Sequence, residues 1–145
     1  MFIGEYTHNI DAKGRIIIPS KFRDELSASF ILTRGIDNCL NIYTKEQFDK
    51  QLENLSKYPS TKAITRQFMH VVAARASICE PDKMGRIQIP LYLAKEVNIK
   101  KECSIIGVND HVEIWDKETW EAYYQNASEN FAEVAENISD LMNNG

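Results

Sequence analysis

The sequence predicts an α+β fold made by tandem duplication, with hairpins from two halves sharing one barrel-like core and helices following each half. The stretch Asp11-Ala12-Lys13-Gly14-Arg15-Ile16-Ile17-Ile18-Pro19 recurs 71 positions later as Asp82-Lys83-Met84-Gly85-Arg86-Ile87-Gln88-Ile89-Pro90, with six of nine residues identical. A second block, Leu40 to Phe48, aligns with Val112 to Trp120 at an offset of 72, and Gly35 and Gly107 fall in the same register. Two similar blocks in the same order and at nearly the same offset mark a duplication with a one-residue insertion between them. In a chain of 145 residues, each half has about 45 residues plus a helical extension, near the lower limit for a self-sufficient core, so a shared core is expected.

Residues 2–10 read as a strand leading into Asp11. Asp-x-x-Gly is a turn signature: the carboxylate accepts backbone N–H groups and glycine takes the positive φ that closes a hairpin through a bulge. Arg15 then begins a return strand. Comparing the repeats assigns its faces, because Ile16 and Ile18 match Ile87 and Ile89 whereas Ile17 matches Gln88. With a period of two, the shared isoleucines point inward and Arg15 and position 17 point out. Ile17 is then either a scattered surface residue or a contact with a neighbouring subunit.

Pro19 and Pro90 stop the strands, and short helical turns follow at Ser20 to Leu26 and Leu91 to Val97. A second strand pair, about Phe30 to Tyr43 and Cys103 to Trp115, is broken at the polar stretches Gly35-Ile36-Asp37-Asn38 and Gly107-Val108-Asn109-Asp110. Thr44-Lys45-Glu46-Gln47 has capping-box form ahead of Phe48, Leu52 and Leu55 at helical spacing. Tyr58-Pro59-Ser60 breaks that helix, and Thr61 to about His70 forms another with Ile64, Phe68 and Met69 on one face. Val71 to Cys79 opens the second repeat and corresponds to residues 1–8. After Trp120 a helix is expected to about Gln125. Ser128 can cap a last helix with Phe131, Val134, Ala135, Ile138, Leu141 and Met142 on one stripe, and Asn143-Asn144-Gly145 should fray. That stripe is a solvated face or a dock for a neighbouring subunit, with burial on its own half-barrel as the default.

The composition, 43% apolar and 26% charged, is that of an ordinary soluble globular chain. No apolar run is long enough to span a bilayer, and Met1-Phe2-Ile3-Gly4-Glu5 has no basic region before an apolar stretch, so neither a membrane span nor a signal peptide is expected. Cys39, Cys79 and Cys103 are odd in number and lack metal-type spacing, which suits a reducing cytoplasm. The net charge of −4 argues against a nucleic-acid partner until its distribution is considered. Residues 116–145 hold seven acids and one base, whereas the other 115 residues hold 16 bases and 14 acids. Residues 11–23 alone carry Lys13, Arg15, Lys21 and Arg23 against one acid, Asp11. The charge is segregated into a basic motif region and an acidic tail.

Arg15 and Arg86, with Lys13, Lys21, Arg23 and Lys83, carry the strongest functional signal. An arginine beside a hairpin tip can pair bidentately with phosphate or guanine, flanked by lysines as point charges. The competing reading is that Arg15 and Arg86 bridge Asp11 and Asp82 and stiffen the turns. Asp11 and Asp82 read as turn caps rather than catalysts, Gly14 and Gly85 as turn hinges, and Pro19 and Pro90 as strand stops. His8, His70 and His111 share no repeat-equivalent positions and no ligand spacing, so no metal is expected. The cysteines read as small buried hydrophobes, since nothing places a base beside them. Trp115 and Trp120 match Tyr43 and Phe48 and read as repeat core. No enzyme, cofactor or small-molecule substrate is indicated.

The paired Asp-x-Lys-Gly-Arg and Asp-x-x-Gly-Arg-Ile-x-Ile-Pro motifs, with Ile114-Trp115-Asp116 late in repeat two, resemble the MraZ family, which is related to the AbrB/SpoVT swapped-hairpin DNA-binding domains. The resemblance implies a swapped-hairpin, double-split β-barrel with AbrB-like repeats at 5–47 and 76–119. Residues 48–75 are then a helical connector and 120–145 an acidic helical segment. It also implies a non-enzymatic, cytoplasmic, nucleoid-associated transcriptional regulator of the division and cell-wall gene cluster, binding direct repeats in promoter double-stranded DNA as a ring-shaped homo-oligomer. The family's Lys-Gly-Arg falls on Lys13, Gly14 and Arg15, but Met84 stands where Lys13 does, so the two loops are unequal. The alternative is an antitoxin-like protein-interaction module that grips a partner through its C-terminal helix.

Overall fold

The computed structural model describes residues 1–144. It is an α+β arrangement with an antiparallel six-stranded sheet, a separate two-stranded ribbon and helices distributed along the chain. The strands are β1 (Phe2–Asn9), β2 (Arg15–Ile17), β3 (Phe30–Arg34), β4 (Leu40–Tyr43), β5 (Ser77–Cys79), β6 (Arg86–Gln88), β7 (Glu102–Asn109) and β8 (His111–Asp116). The helices are α1 (Ser20–Leu26), α2 (Lys45–Ser56), α3 (Ala63–Ala74), α4 (Leu91–Glu96), α5 (Lys117–Glu129) and α6 (Phe131–Asn144).

The large sheet runs β1-β7-β8-β4-β3-β5, and the ribbon pairs β2 with β6. The first strand of each repeat therefore pairs with the third strand of the other: β1 with β7 over eight residues, β5 with β3 over three. This corrects the expected local hairpin. The turn at Asp11 to Arg15 closes, with the Asp11 N–H donating to the Arg15 carbonyl at 2.9 Å, but the strands it joins diverge to different partners. The physical reason lies in the apolar faces. Ile16, Ile18, Ile87 and Ile89 are at most 2% exposed in a core drawn from both repeats, which neither half could build alone.

Proline sets the exit of each ribbon strand. Pro19 ends β2 with extended ψ, and its carbonyl accepts from the N–H groups of Phe22 and Arg23 to start α1, whose Phe22 and Leu26 are buried. Pro90 does the same for α4, where Leu93 and Ala94 are buried. Thr44 caps α2, its hydroxyl accepting from the Gln47 N–H at 3.1 Å.

Four local expectations change. First, Gly107 is not in a turn: β7 runs through it to Asn109, and a two-residue turn, Asn109-Asp110, joins β8. A Cβ on Gly107 would collide with the backbone of β1, including the Phe2 carbonyl carbon at 2.6 Å, so the glycine permits close strand approach. Second, the stretch from Val71 begins as helix, because α3 continues to Ala74 and leaves β5 only three residues. Third, Ser128 lies inside α5. Asn130 separates α5 from α6, and its carbonyl accepts from the Val134 N–H. Fourth, α6 is not buried on its own half: Phe131, Val134, Ile138, Leu141 and Met142 are all exposed. Asn143 and Asn144 remain helical, and Gly145 lies outside the described residues.

Cys39, Cys79 and Cys103 are free and buried. Burial pushes the Cys103 thiol up to about 12, with the Asp116 charge adding to it, and raises Cys39 and Cys79 as well. Such thiols are inert as nucleophiles near neutral pH. Trp115 is buried against Trp120 and Tyr123, whereas Trp120 is half-buried and donates its indole N–H to Glu5 at 2.6 Å. His111 is neither core nor free: its ring nitrogens lie 2.7 Å from Asp110 and 2.8 Å from Glu113. Among the described residues no helix is long and apolar enough to cross a membrane.

Candidate nucleic-acid interface

The two Asp-x-x-Gly-Arg loops have the same geometry. In the first, Asp11 Oδ1 accepts from the N–H groups of Lys13 and Arg15 at 2.9 Å each, and Oδ2 accepts from Arg15 Nε at 2.7 Å. In the second, Asp82 accepts from the N–H groups of Met84 and Arg86 at 2.9 and 3.0 Å and from Arg86 Nε at 2.9 Å. Gly14 and Gly85 adopt φ of +81° and +80°, and each donates its N–H to the backbone carbonyl of its loop's aspartate, closing a four-residue turn. The sequence motif is thus a folding unit: the carboxylate gathers three donors, and only glycine tolerates the turn's φ without strain.

The loops also brace one another. The Ile89 N–H donates to the Gly14 carbonyl at 2.7 Å, and the Ile18 N–H donates to the Gly85 carbonyl at 3.0 Å. Antiparallel pairing of Arg15 with Gln88, Ile16 with Ile87 and Ile17 with Arg86 makes β2 and β6 one ribbon with both loops beside it. Ile16 and Ile87 point inward. Arg15, Ile17, Arg86 and Gln88 share the outer face, as alternation requires.

Of the two sequence readings of the arginines, the aspartate pairing is present in the structure. It occupies Nε only. Among the described residues the terminal nitrogens of Arg15 and Arg86 make no hydrogen bond, and their side chains are 34% and 26% exposed. The pairing therefore fixes each guanidinium through Nε and leaves its terminal nitrogens uncommitted among the described residues. The Arg15 backbone N–H holds the Asp11 carboxyl below the usual carboxylate range; desolvation opposes this, and the guanidinium and the Lys13 N–H add to it. Asp82 is lowered in the same way by Arg86 and Met84.

The surrounding bases are not equivalent. Lys13, Lys21 and Lys83 are exposed and form no ion pair among the described residues. Arg23 is half-buried: its Nε donates to the Ile18 carbonyl at 2.8 Å, and its guanidinium covers Gly85 of the other repeat. At the matching positions of repeat two stand Met84, Tyr92 and Ala94 in place of Lys13, Lys21 and Arg23. Met84, Leu91 and Tyr92 are exposed, so the repeat-one side of the ribbon carries more positive charge, and on the repeat-two side Lys83 and Arg86 stand among exposed apolar side chains. Sequence reasoning missed the contribution of Gln88, whose side-chain N–H donates to the Lys13 carbonyl at 3.1 Å. The Ile17/Gln88 mismatch between the repeats was the available signal.

The model of one protein family, described as "MraZ protein, putative antitoxin-like", matches residues 1–71 and again residues 72–141. The two matches abut and account for all but the last four residues, and each contains one Asp-x-x-Gly-Arg loop. It is a regulator-type family. The chain belongs to the MraZ family.

Proposed function

We propose that this protein is a sequence-specific DNA-binding transcriptional regulator that uses the outer face of the β2–β6 ribbon and its flanking loops. Arg15 and Arg86 present guanidinium forks to phosphate or guanine. Lys13, Lys21 and Lys83 neutralise the flanking backbone, and Arg23 adds charge while bracing the second loop. The observation that supports the reading is the duplicated loop, in which each aspartate fixes its arginine through Nε and leaves the terminal guanidinium nitrogens without a hydrogen bond among the described residues. The fold reading that goes with it is an AbrB-like swapped-hairpin, double-split barrel, with repeat units at 5–47 and 76–119, a connector at 48–75 and an acidic segment at 120–145. Its support is the exchange of first strands between repeats.

The finer terms of the proposal are a cytoplasmic, nucleoid-associated ring of identical subunits that reads direct repeats in the promoter of the division and cell-wall gene cluster. A ring suits the charge budget of the chain, because one pair of loops makes few phosphate contacts and many copies along one duplex act through effective concentration. The exposed stripe on α6 is an available surface between subunits. The test is retention of the DNA upstream of the protein's own gene. The parent chain should retain it over a scrambled duplex and Arg15→Ala should not; equal retention by both would sink the mechanism. A second reading, in which α6 grips a different protein as an antitoxin-like module does, is favoured by the same exposed stripe. A stoichiometric foreign protein co-purifying without DNA would support it.

A further inference from the structure

The outer face of the ribbon is a two-by-two array whose two rows are not alike. Arg15 stands opposite Gln88 and Ile17 opposite Arg86. The 71-residue offset relates Arg15 to Arg86 and Ile17 to Gln88, so a perfect duplication would make the array two-fold symmetric. The arginines and their aspartates obey that symmetry. The remaining two corners break it: one is an amide and the other a branched alkyl group, and both are exposed.

The chemistry of the two corners differs in kind. Gln88 commits one side-chain N–H to the Lys13 carbonyl at 3.1 Å, which holds the amide beside the Arg15 loop. Its Oε1 and second N–H remain, and together they match the N6 donor and N7 acceptor of adenine in the major groove. Ile17 has no hydrogen-bonding atom in its side chain. It is 36% exposed and matches only an apolar edge, the 5-methyl group of thymine. The rows lie two residues apart along the ribbon, about 6.7 Å, close to two base-pair steps of about 3.4 Å each. A two-stranded ribbon is also an element that the major groove admits.

We infer that Gln88 and Ile17 determine base specificity and give the DNA element a direction: adenine beside the base read by Arg15, and thymine beside the base read by Arg86, two steps away. This rests on the DNA-binding reading above. A chain with this array prefers an element that is not its own inverted complement, although the arginine framework is nearly two-fold.

The experiment is selection of binding sequences from a randomised duplex by the full-length parent, Gln88→Ile, Gln88→Ala and Ile17→Gln. The parent should select a non-palindromic core, and replacing its adenine should weaken binding by roughly ten-fold or more. Gln88→Ile and Gln88→Ala should both lose that adenine preference, the first shifting toward thymine. Ile17→Gln should gain an adenine preference at the opposite end and select a more palindromic core. The same selected sequence from the parent and both Gln88 variants, or a palindromic core from the parent, would overturn the inference while leaving DNA binding in place. A parent that binds no duplex above background would overturn both. Two Gln88 substitutions with different side chains separate lost readout from a damaged strand, since thermal melts of each report folding directly.

Discussion

Replacing Gly107 by alanine places a methyl group where the backbone of β1 runs. The added Cβ would lie 2.6 Å from the Phe2 carbonyl carbon and 2.8 Å from Ile3 Cα, with the Ile3 nitrogen closer still. None of these atoms is a flexible side-chain end, so β1 must move away from β7 along the longest strand pairing in the molecule. Overpacking costs about 1–3 kcal/mol, and an unyielding backbone puts this case near the upper figure, about 3 kcal/mol. For a chain of this size each kcal/mol lowers Tm by about 2–4 °C, so a fall of about 6–12 °C is expected. Gly35, the repeat-equivalent residue, is the internal control. A Cβ there meets Asn41 Oδ1 and Cys39 Sγ at 2.7 Å, both side-chain atoms, with the Cys39 carbonyl at 3.1 Å. Gly35→Ala should therefore cost about 1 kcal/mol. Thermal melts followed by circular dichroism decide it: equal shifts, or a larger one for Gly35→Ala, would refute the argument that only Gly107 holds two strands in close approach.

Other consequences concern charge and assembly. Asp11 and Asp82 have folded pKa values below the ordinary 3.8, so their contribution is fully present above that value and is lost as pH falls through the lower folded value. Acid melts should show an Asp11→Asn/Asp82→Asn double variant losing less stability than the parent below about pH 4. His111 behaves in the opposite sense. Burial opposes its charge, but hydrogen bonds to Glu113 and Asp110 outweigh this and raise its pKa above 6.5. Its contribution is complete below the unfolded value and is lost as pH rises through the folded one, so the parent should lose Tm across that window and His111→Gln should not. Ile138→Asp, in the middle of the exposed α6 stripe, should lower the solution mass measured by light scattering if that stripe joins subunits; an unchanged mass would remove it from the assembly.

The repeat comparison made the ribbon legible because a strand has a period of two. Matching Ile16 and Ile18 to Ile87 and Ile89 was enough to orient the strand, and the isoleucines are buried as expected. Turn chemistry was legible for the same local reason, since Asp11 and Gly14 act within five residues of one another. Strand partnership was not. An Asp-x-x-Gly turn reads the same whether the strands it joins pair together or separate, and the choice depends on apolar faces far away in sequence. Gly107 misled because glycine marks turns and close backbone approach alike. Ser128 and Asn130 are both good cap residues, and composition could not choose between them. The α6 stripe announces an amphipathic helix but not what covers it. At the site, the outward faces of Arg15 and Arg86 were readable, but two features were not. The fork left free by an Nε-only pairing and the reach of Arg23 over Gly85 depend on side-chain geometry between repeats.

On the proposed mechanism, the paired arginines and their neighbouring lysines hold DNA. The most direct measurement is a salt titration of affinity for the duplex upstream of the protein's own gene, comparing the parent with Lys13→Ala and with Arg15→Ala/Arg86→Ala. The slope of log affinity against log salt should fall by about 0.9 for each phosphate contact removed. The lysine variant should lose about one such contact per bound chain, and the double arginine variant should bind at least about ten-fold more weakly, as expected for a lost bidentate pair. Parent-like affinity with a parent-like slope in the double arginine variant would contradict the account.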